Sequence, residues 1–120
     1  MSDLAVHRSG EVLVVQFTAQ KILTETVIAQ IGRDLLALAD EAGGKMLLNF
    51  QGVTFMSSAM IGKIVLLSKK CANVKTMIKL CNIAPSIKEV FEITRLNKMF
   101  QIHETEADAL AAFQKKGWLG

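Results

Sequence analysis

Strand-like and helix-like stretches take turns along this chain, and that alternation restricts its folds more than any other feature. "EVLVVQFT" (11–18) is β-branched and apolar, the composition of a strand. Thr24 can cap a helix, and apolar side chains then return at Val27, Ile28, Ile31, Leu35, Leu38 and Ala42. Spacing of three and four draws one helical face. Gly43-Gly44 ends it. "KMLLNF" (45–50) reads as a short buried strand, "QGVTFM" as a loop, and the stretch after Ser57-Ser58 as a helix reaching the region of Ala72. "KTMIKLC" (75–81) is another strand, and Pro85 suits the first turn of a helix with Ile87, Val90 and Phe91 inward. Leu96 to Ile102 holds a connection and a short strand. Thr105-Glu106-Ala107-Asp108 resembles a capping box with Asp in the Glu place, opening a last helix through Phe113. At the start, Leu4 to Arg8 is a weak strand folded back on 11–18 across Ser9-Gly10. Ala19 to Leu23 reads as a loop. The expectation is an α/β fold around a mixed sheet, with helices covering at least one face.

The chain has 120 residues, which suits one domain over 1–120, and the tail "KKGWLG" is expected to fray at 118–120 with Trp118 weakly packed. Apolar residues make up 51% and charged residues 21%, a balance that argues for a folded body. "MSDLAVHRSG" lacks the pattern of a signal peptide. Every unbroken apolar run falls far short of the roughly 20 residues of a membrane span. These features read as a cytoplasmic protein without membrane insertion. Cys71 and Cys81 each sit in an apolar row and read as buried free thiols. His7 and His103 lie too far apart for a zinc pattern, so neither a metal nor a cofactor is expected.

The net charge of +3 is unevenly spread. Residues 1–60 carry four Lys/Arg against six Asp/Glu, a net of −2; residues 61–120 carry ten against five, a net of +5. Lys63, Lys69, Lys70, Lys75 and Lys79 supply much of the excess. No aromatic residue is interleaved among them and no nucleic-acid motif appears. A solvated face is the plain reading, an acidic protein partner the next, and direct nucleic-acid binding is not expected.

Ser57 and Ser58 stand where a strand-like run meets a helix. A helix start exposes unpaired N–H groups and partial positive charge. A serine hydroxyl there accepts one of those bonds, worth about 1 kcal/mol. The same spot holds an anion well, so a phosphate on Ser58 would add roughly two negative charges without melting the fold. Along the following helix Met60, Ile61, Ile64, Val65, Leu67, Ser68 and Cys71 form a wide inward face. Ala59, Gly62, Lys63, Leu66 and Lys70 form the opposite stripe, whose small residues let a partner approach closely. Catalysis finds little support: the serines lack a G-x-S-x-G elbow, neither histidine has the context of a base, and no Gly-rich phosphate loop exists.

"VTFMSSAMIG", the apolar helix and strand after it, "NIAPSIKEVFEITRLNKMF" and "ETEADALAAF" together resemble the STAS domain of bacterial anti-sigma factor antagonists. The similarity covers nearly the whole chain and is strongest from Met46 to Phe113. It implies a mixed sheet of about 4–5 strands packed on one side by about four helices. It also implies a protein-binding activity. The antagonist captures an anti-sigma factor that is also a serine kinase; the kinase phosphorylates it, and a phosphatase resets it. Alignment on "FM" makes Ser58 the phosphorylated residue, with Ser57 as second choice, and Ser57, Ser58, Ala59, Gly62, Lys63 and Leu66 the partner surface. The chain departs from the family's Asp-Ser-Ser-Gly motif: Ser57 stands for Asp, Ala59 for the second Ser and Met60 for Gly. The loop "AQKIL" (19–23) lacks the acidic residue often found there. Other uses of such a domain are an accessory subunit of a lipid or anion transport system, or a stress-signalling scaffold. A serine hydrolase is the rival from a different class.

Overall fold

A computed structural model describes residues 3–119, with side chains from 3 to 114. The chain opens with a hairpin of β1 (Leu4–Ser9) and β2 (Val12–Phe17), antiparallel, with Leu4 opposite Phe17 and Ser9 opposite Val12. Gly10, at φ +61°, supplies the left-handed turn that Ser9-Gly10 promised. There follow β3 (Lys21–Ile22), α1 (Glu25–Glu41), β4 (Lys45–Asn49), β5 (Phe55–Met56), α2 (Ser58–Asn73) and β6 (Met77–Cys81). Then come α3 (Pro85–Ile93), a 3₁₀ turn (Leu96–Lys98), β7 (Gln101–His103) and α4 (Glu106–Leu119). The sheet runs β1-β2-β4-β6-β7; β1 is antiparallel to its neighbour and the rest are parallel. The mixed sheet with four helices is as the alternation required.

Local chemistry accounts for the element ends. The Val27 N–H donates to Thr24 Oγ1 (3.4 Å), so Thr24 caps α1 as expected. At the other end of α1 the Arg8 guanidinium donates to the carbonyls of Ala42 (2.9 Å) and Glu41 (2.7 Å). Those carbonyls have no helical partners of their own, so the contact satisfies them and ties β1 to α1. Pro85 opens α3. The Asp108 N–H donates to Thr105 Oγ1 (3.1 Å), the Thr half of the capping box that begins α4.

Strand residues alternate between two faces. Leu13, Val15, Phe17, Met46, Leu48 and Leu80 face Ile28, Ile31 and Leu35 of α1, Met60, Ile64 and Leu67 of α2, and Ile87 and Phe91 of α3. Phe17 and Phe50 stack within this layer at 4.7 Å. Val12, Val14, Leu47 and Cys81 face the other way and meet Ala109 and Phe113 of α4. Packing by helices on one side only is therefore corrected: α4 covers the opposite face. The reason lies in "VLVV" and "MLL", where every residue is apolar, so both faces must be hidden from water.

Further expectations need adjustment. The 19–23 stretch is not all loop, since Lys21–Ile22 forms β3 and pairs in parallel with β5. Val90 is exposed rather than inward; α3 buries only Ile87 and Phe91, one turn apart. Lys79 leaves the solvated basic group, being 2% exposed with its ammonium on Gln101 and over the Phe113 ring. The last helix continues past Phe113 to Leu119. The fraying expected at 118–120 and the packing of Trp118 lie outside the residues described in full. Cys71 and Cys81 are both free and buried, as read from their apolar rows.

Candidate functional site

The two serines fall on either side of a helix boundary, and this gives them different environments. Ser57 is the residue before α2, in extended conformation (φ −73°, ψ 162°). Its N–H donates to the Ile22 carbonyl (3.0 Å), and its carbonyl accepts from the N–H of Met60 (3.0 Å) and Ile61 (3.3 Å). Its hydroxyl, by contrast, makes no capping bond; Oγ is buried and has no hydrogen-bond partner among the described residues. The capping role expected of Ser57 is thus carried by its backbone alone. Ser58 is the first residue of α2 and is exposed. The N–H groups of Ser58 and Ala59 belong to the first turn, which has no earlier carbonyls to bind.

The small β3–β5 pair fixes the approach to this boundary. Lys21 stands opposite Phe55 and Ile22 opposite Met56. The Thr54 N–H donates to the Gln20 carbonyl at 2.8 Å, reinforced by Thr54 Oγ1 at 3.3 Å. Buried Ile22 and Met56 pin the pair to the core, while Phe55 and Leu23 remain about half exposed beside the serines (52% and 49%). Gly52, at φ +92°, makes the turn that brings the chain from β4 to β5. So the 19–23 stretch does flank the serine segment, and it presents a lysine there.

Below the loop lies a polar anchor that the sequence reading missed. Asn49, buried at the end of β4, accepts at Oδ1 from the Gln51 N–H (2.9 Å) and from Asn82 Nδ2 (3.0 Å). Its own Nδ2 donates to Glu106 Oε1 (2.7 Å). One side chain therefore joins the root of the serine loop, the end of β6 and the start of α4. A faint signal existed: Asn49 and Asn82 each follow an apolar strand, where a buried amide needs a partner. Burial, and then the Glu106 charge, push the neighbouring Cys81 thiol up to about 12; burial alone pushes Cys71 up to about 11. Both thiols stay protonated at neutral pH and are poor nucleophiles.

Along α2 the exposed stripe is Ser58, Ala59, Gly62 and Leu66, the last 50% exposed. A methyl group built on Gly62 meets nothing, so the stripe is open. Lys63 departs from it: half-buried, its aliphatic stem lies against Gly32 of α1. Lys70 also leans to α1, pairing with Asp40 at 3.1 Å. Neither histidine reaches the serines in the way a nucleophile's base must. His7 is on β1 and His103 on β7, the two edges of the sheet, and His103 Nε2, like Ser57 Oγ, has no hydrogen-bond partner. No helix among the described residues is long and apolar enough to cross a membrane.

A five-stranded mixed sheet with one helix behind it, and an exposed serine opening the second helix in front, define a small α/β domain. The model of the STAS domain family matches residues 3–109, and the chain belongs to that family. It is similar to BtrV of Bordetella bronchiseptica, named as an anti-sigma factor antagonist, at 26% identity over 95 residues, 79% of this chain and 82% of that one. It also resembles the solved anti-sigma-factor antagonist (STAS) domain protein of Planctomyces limnophilus at 29% identity, with TM-score 0.81 over 93% of this chain and 98% of that one. The Bacillus cell fate determinant SpoIIAA in its phosphorylated form shares the fold, at 19% identity and TM-score 0.67 over 92% of this chain and 98% of that one.

Proposed function

We propose that this chain is an anti-sigma factor antagonist: a cytoplasmic regulatory domain, without catalysis of its own, that captures an anti-sigma factor acting also as a serine kinase. Phosphorylation of Ser58 switches it off, and a phosphatase resets it. The partner surface comprises Ser57, Ser58, Ala59, Gly62, Lys63 and Leu66. One observation carries the choice between the serines. Ser58 is exposed at the first residue of α2, whereas Ser57 Oγ is shut away from solvent. Only an exposed hydroxyl can enter a kinase's active site without the segment first opening. A phosphate there meets the free N–H groups of the first turn. Lys21, on the strand paired with β5, adds positive charge on the approach to the serines where relatives of this type often carry an acid. Two added negative charges on a surface the partner must desolvate cost several kcal/mol when they meet like charge or break close contact.

The test is incubation with the cognate kinase and ATP, then mass mapping of the phosphosite. Label is expected on Ser58. Ser58→Ala should bind the partner and resist modification; Ser58→Asp should remain folded and bind at least tenfold more weakly, about 1.4 kcal/mol or more. Label on Ser57 alone would overturn the assignment. Label on neither, with partner binding intact, would favour a second reading, in which the domain binds without the phosphoryl switch. The serine that replaces the family's Asp at position 57 is the feature that favours it.

A further inference from the structure

The sheet has two edges of unequal kind. β7 is three residues long, and a short edge offers little to pair with. β1 is six residues long, pairs without interruption to β2, and contains no proline or bulge. Its one long charged side chain, Arg8, does not guard the edge but is drawn off to the carbonyls ending α1. Hydrogen-bond parity shows which groups are left over. The Thr18 N–H donates to the Asp3 carbonyl (2.9 Å), so Asp3, Ala5, His7 and Ser9 turn their backbone groups toward β2. Leu4, Val6 and Arg8 turn theirs outward. Beside this free edge lies an open groove of about 410 Å³ between β1 and α1, lined by Leu4, Val6, Gln30, Asp34, Ala37 and Leu38. Val6 is 43% exposed in it.

We infer that β1 is a homodimer edge: it pairs antiparallel with β1 of a second copy, Leu4 opposite Val6 of the other chain and Ala5 opposite Ala5 on the two-fold axis. Several observations select this occupant over an unrelated strand. The register joins the outward-facing Leu4 and Val6, so every hydrogen bond it makes uses a donor or acceptor now facing solvent. It sets Leu4 against Val6 on the α1 side, burying both in the groove against Ala37 and Leu38. On the other side it sets Asp3 opposite His7 of the second copy, twice by symmetry, so each carboxylate faces an imidazole able to donate a hydrogen bond to it. The two sheets then continue into one, and neither long edge remains open. This surface is separate from the serine stripe on α2, so the dimer stands or falls independently of the proposed switch.

Light scattering across a range of concentrations should give twice the mass of one chain. Val6→Pro should give a single-chain mass with a native far-UV spectrum, because the Val6 N–H points away from β2 and its loss spares the internal ladder. Val6→Lys, which keeps the backbone donor and places a charge in the groove, should have the same effect. Register is read by cross-linking. In a non-hydrogen-bonded antiparallel pair the Cα atoms lie about 4.5 Å apart, within disulfide reach, so Ala5→Cys should oxidise to a covalent dimer. His7→Cys should not, since it faces Asp3 and not itself. A wild-type chain that stays at single-chain mass, or His7→Cys cross-linking as readily as Ala5→Cys, would overturn the inference. A monomer whose β1 amides become protected only when another protein is added would give the edge to that protein instead.

Discussion

Asn49 and Phe50 are neighbours in the chain and belong to opposite faces of the sheet. Phe50 lies under α1, α2 and α3, stacked on Phe17 in a wholly apolar layer. Asn49 lies toward α4, where the buried groups include an amide, the Lys79 ammonium and the His103 imidazole nitrogen. The first face obtains its stability from area and close packing. The second obtains its position from partners that must each be met. Loss of volume is thereby the main hazard on the three-helix face, and loss of a hydrogen-bond partner the added hazard on the α4 face.

Substitutions on each face separate these behaviours. Phe50→Ala should be the most damaging, lowering unfolding free energy by about 3–5 kcal/mol through lost transfer energy and a cavity. Urea denaturation measures it, and a loss near 1 kcal/mol would mean that the layer collapses around the gap. Asn49→Ala removes little volume and strands the Gln51 N–H, Asn82 and Glu106 at once. It should cost about 1–3 kcal/mol. It should also increase hydrogen exchange in the 50–57 loop while leaving the α1 amides protected; uniform loosening of both would erase the contrast between the faces.

The smallest effect is set by pH. Burial first, then the Lys79 charge, hold the His103 pKa below its ordinary 6.5, with Asp108 pulling the other way. A histidine depressed in the folded state stays neutral there while the unfolded chain takes up a proton. Its contribution is therefore present above about pH 6.5 and is lost as pH falls below that value. His103→Gln should flatten this part of the stability profile. An unchanged profile would mean that the α4 face does not respond to protonation at this residue.

Much of the fold was legible because it is local. Thr24, the 3–4 spacing to Ala42 and the two glycines mark α1 by themselves, and Ser9-Gly10 marks the hairpin. The α4 face was legible too, in "VLVV" and "MLL", but only if an unbroken apolar run is taken to mean two covered faces. β3 escaped because it is two residues long and exists only through its pairing with β5, over thirty positions away in the chain. Lys79 escaped because lysine is usually solvated, and nothing beside it in sequence announces Gln101 or Phe113. At the candidate site, the serine pair, Gly62 and Leu66 were all visible. What divides Ser57 from Ser58 was not, since the burial of one hydroxyl depends on how 19–23 closes over it. Lys63 likewise reads as outward until α1 is docked beside it.

That closure has a kinetic meaning. The link between β3 and β5 is only two residues long. A unit so small separates from the main sheet at a modest fraction of the free energy needed to unfold the domain, and native proteins sample such openings continually. Each excursion releases the Ser57 N–H from Ile22 and frees the segment before α2 to straighten, with the five-stranded sheet still in place. Ser58 is exposed in the closed form as well, so loosening the β3–β5 clasp at Ile22 or Met56 would uncover the Ser57 segment more often and leave access to Ser58 unchanged.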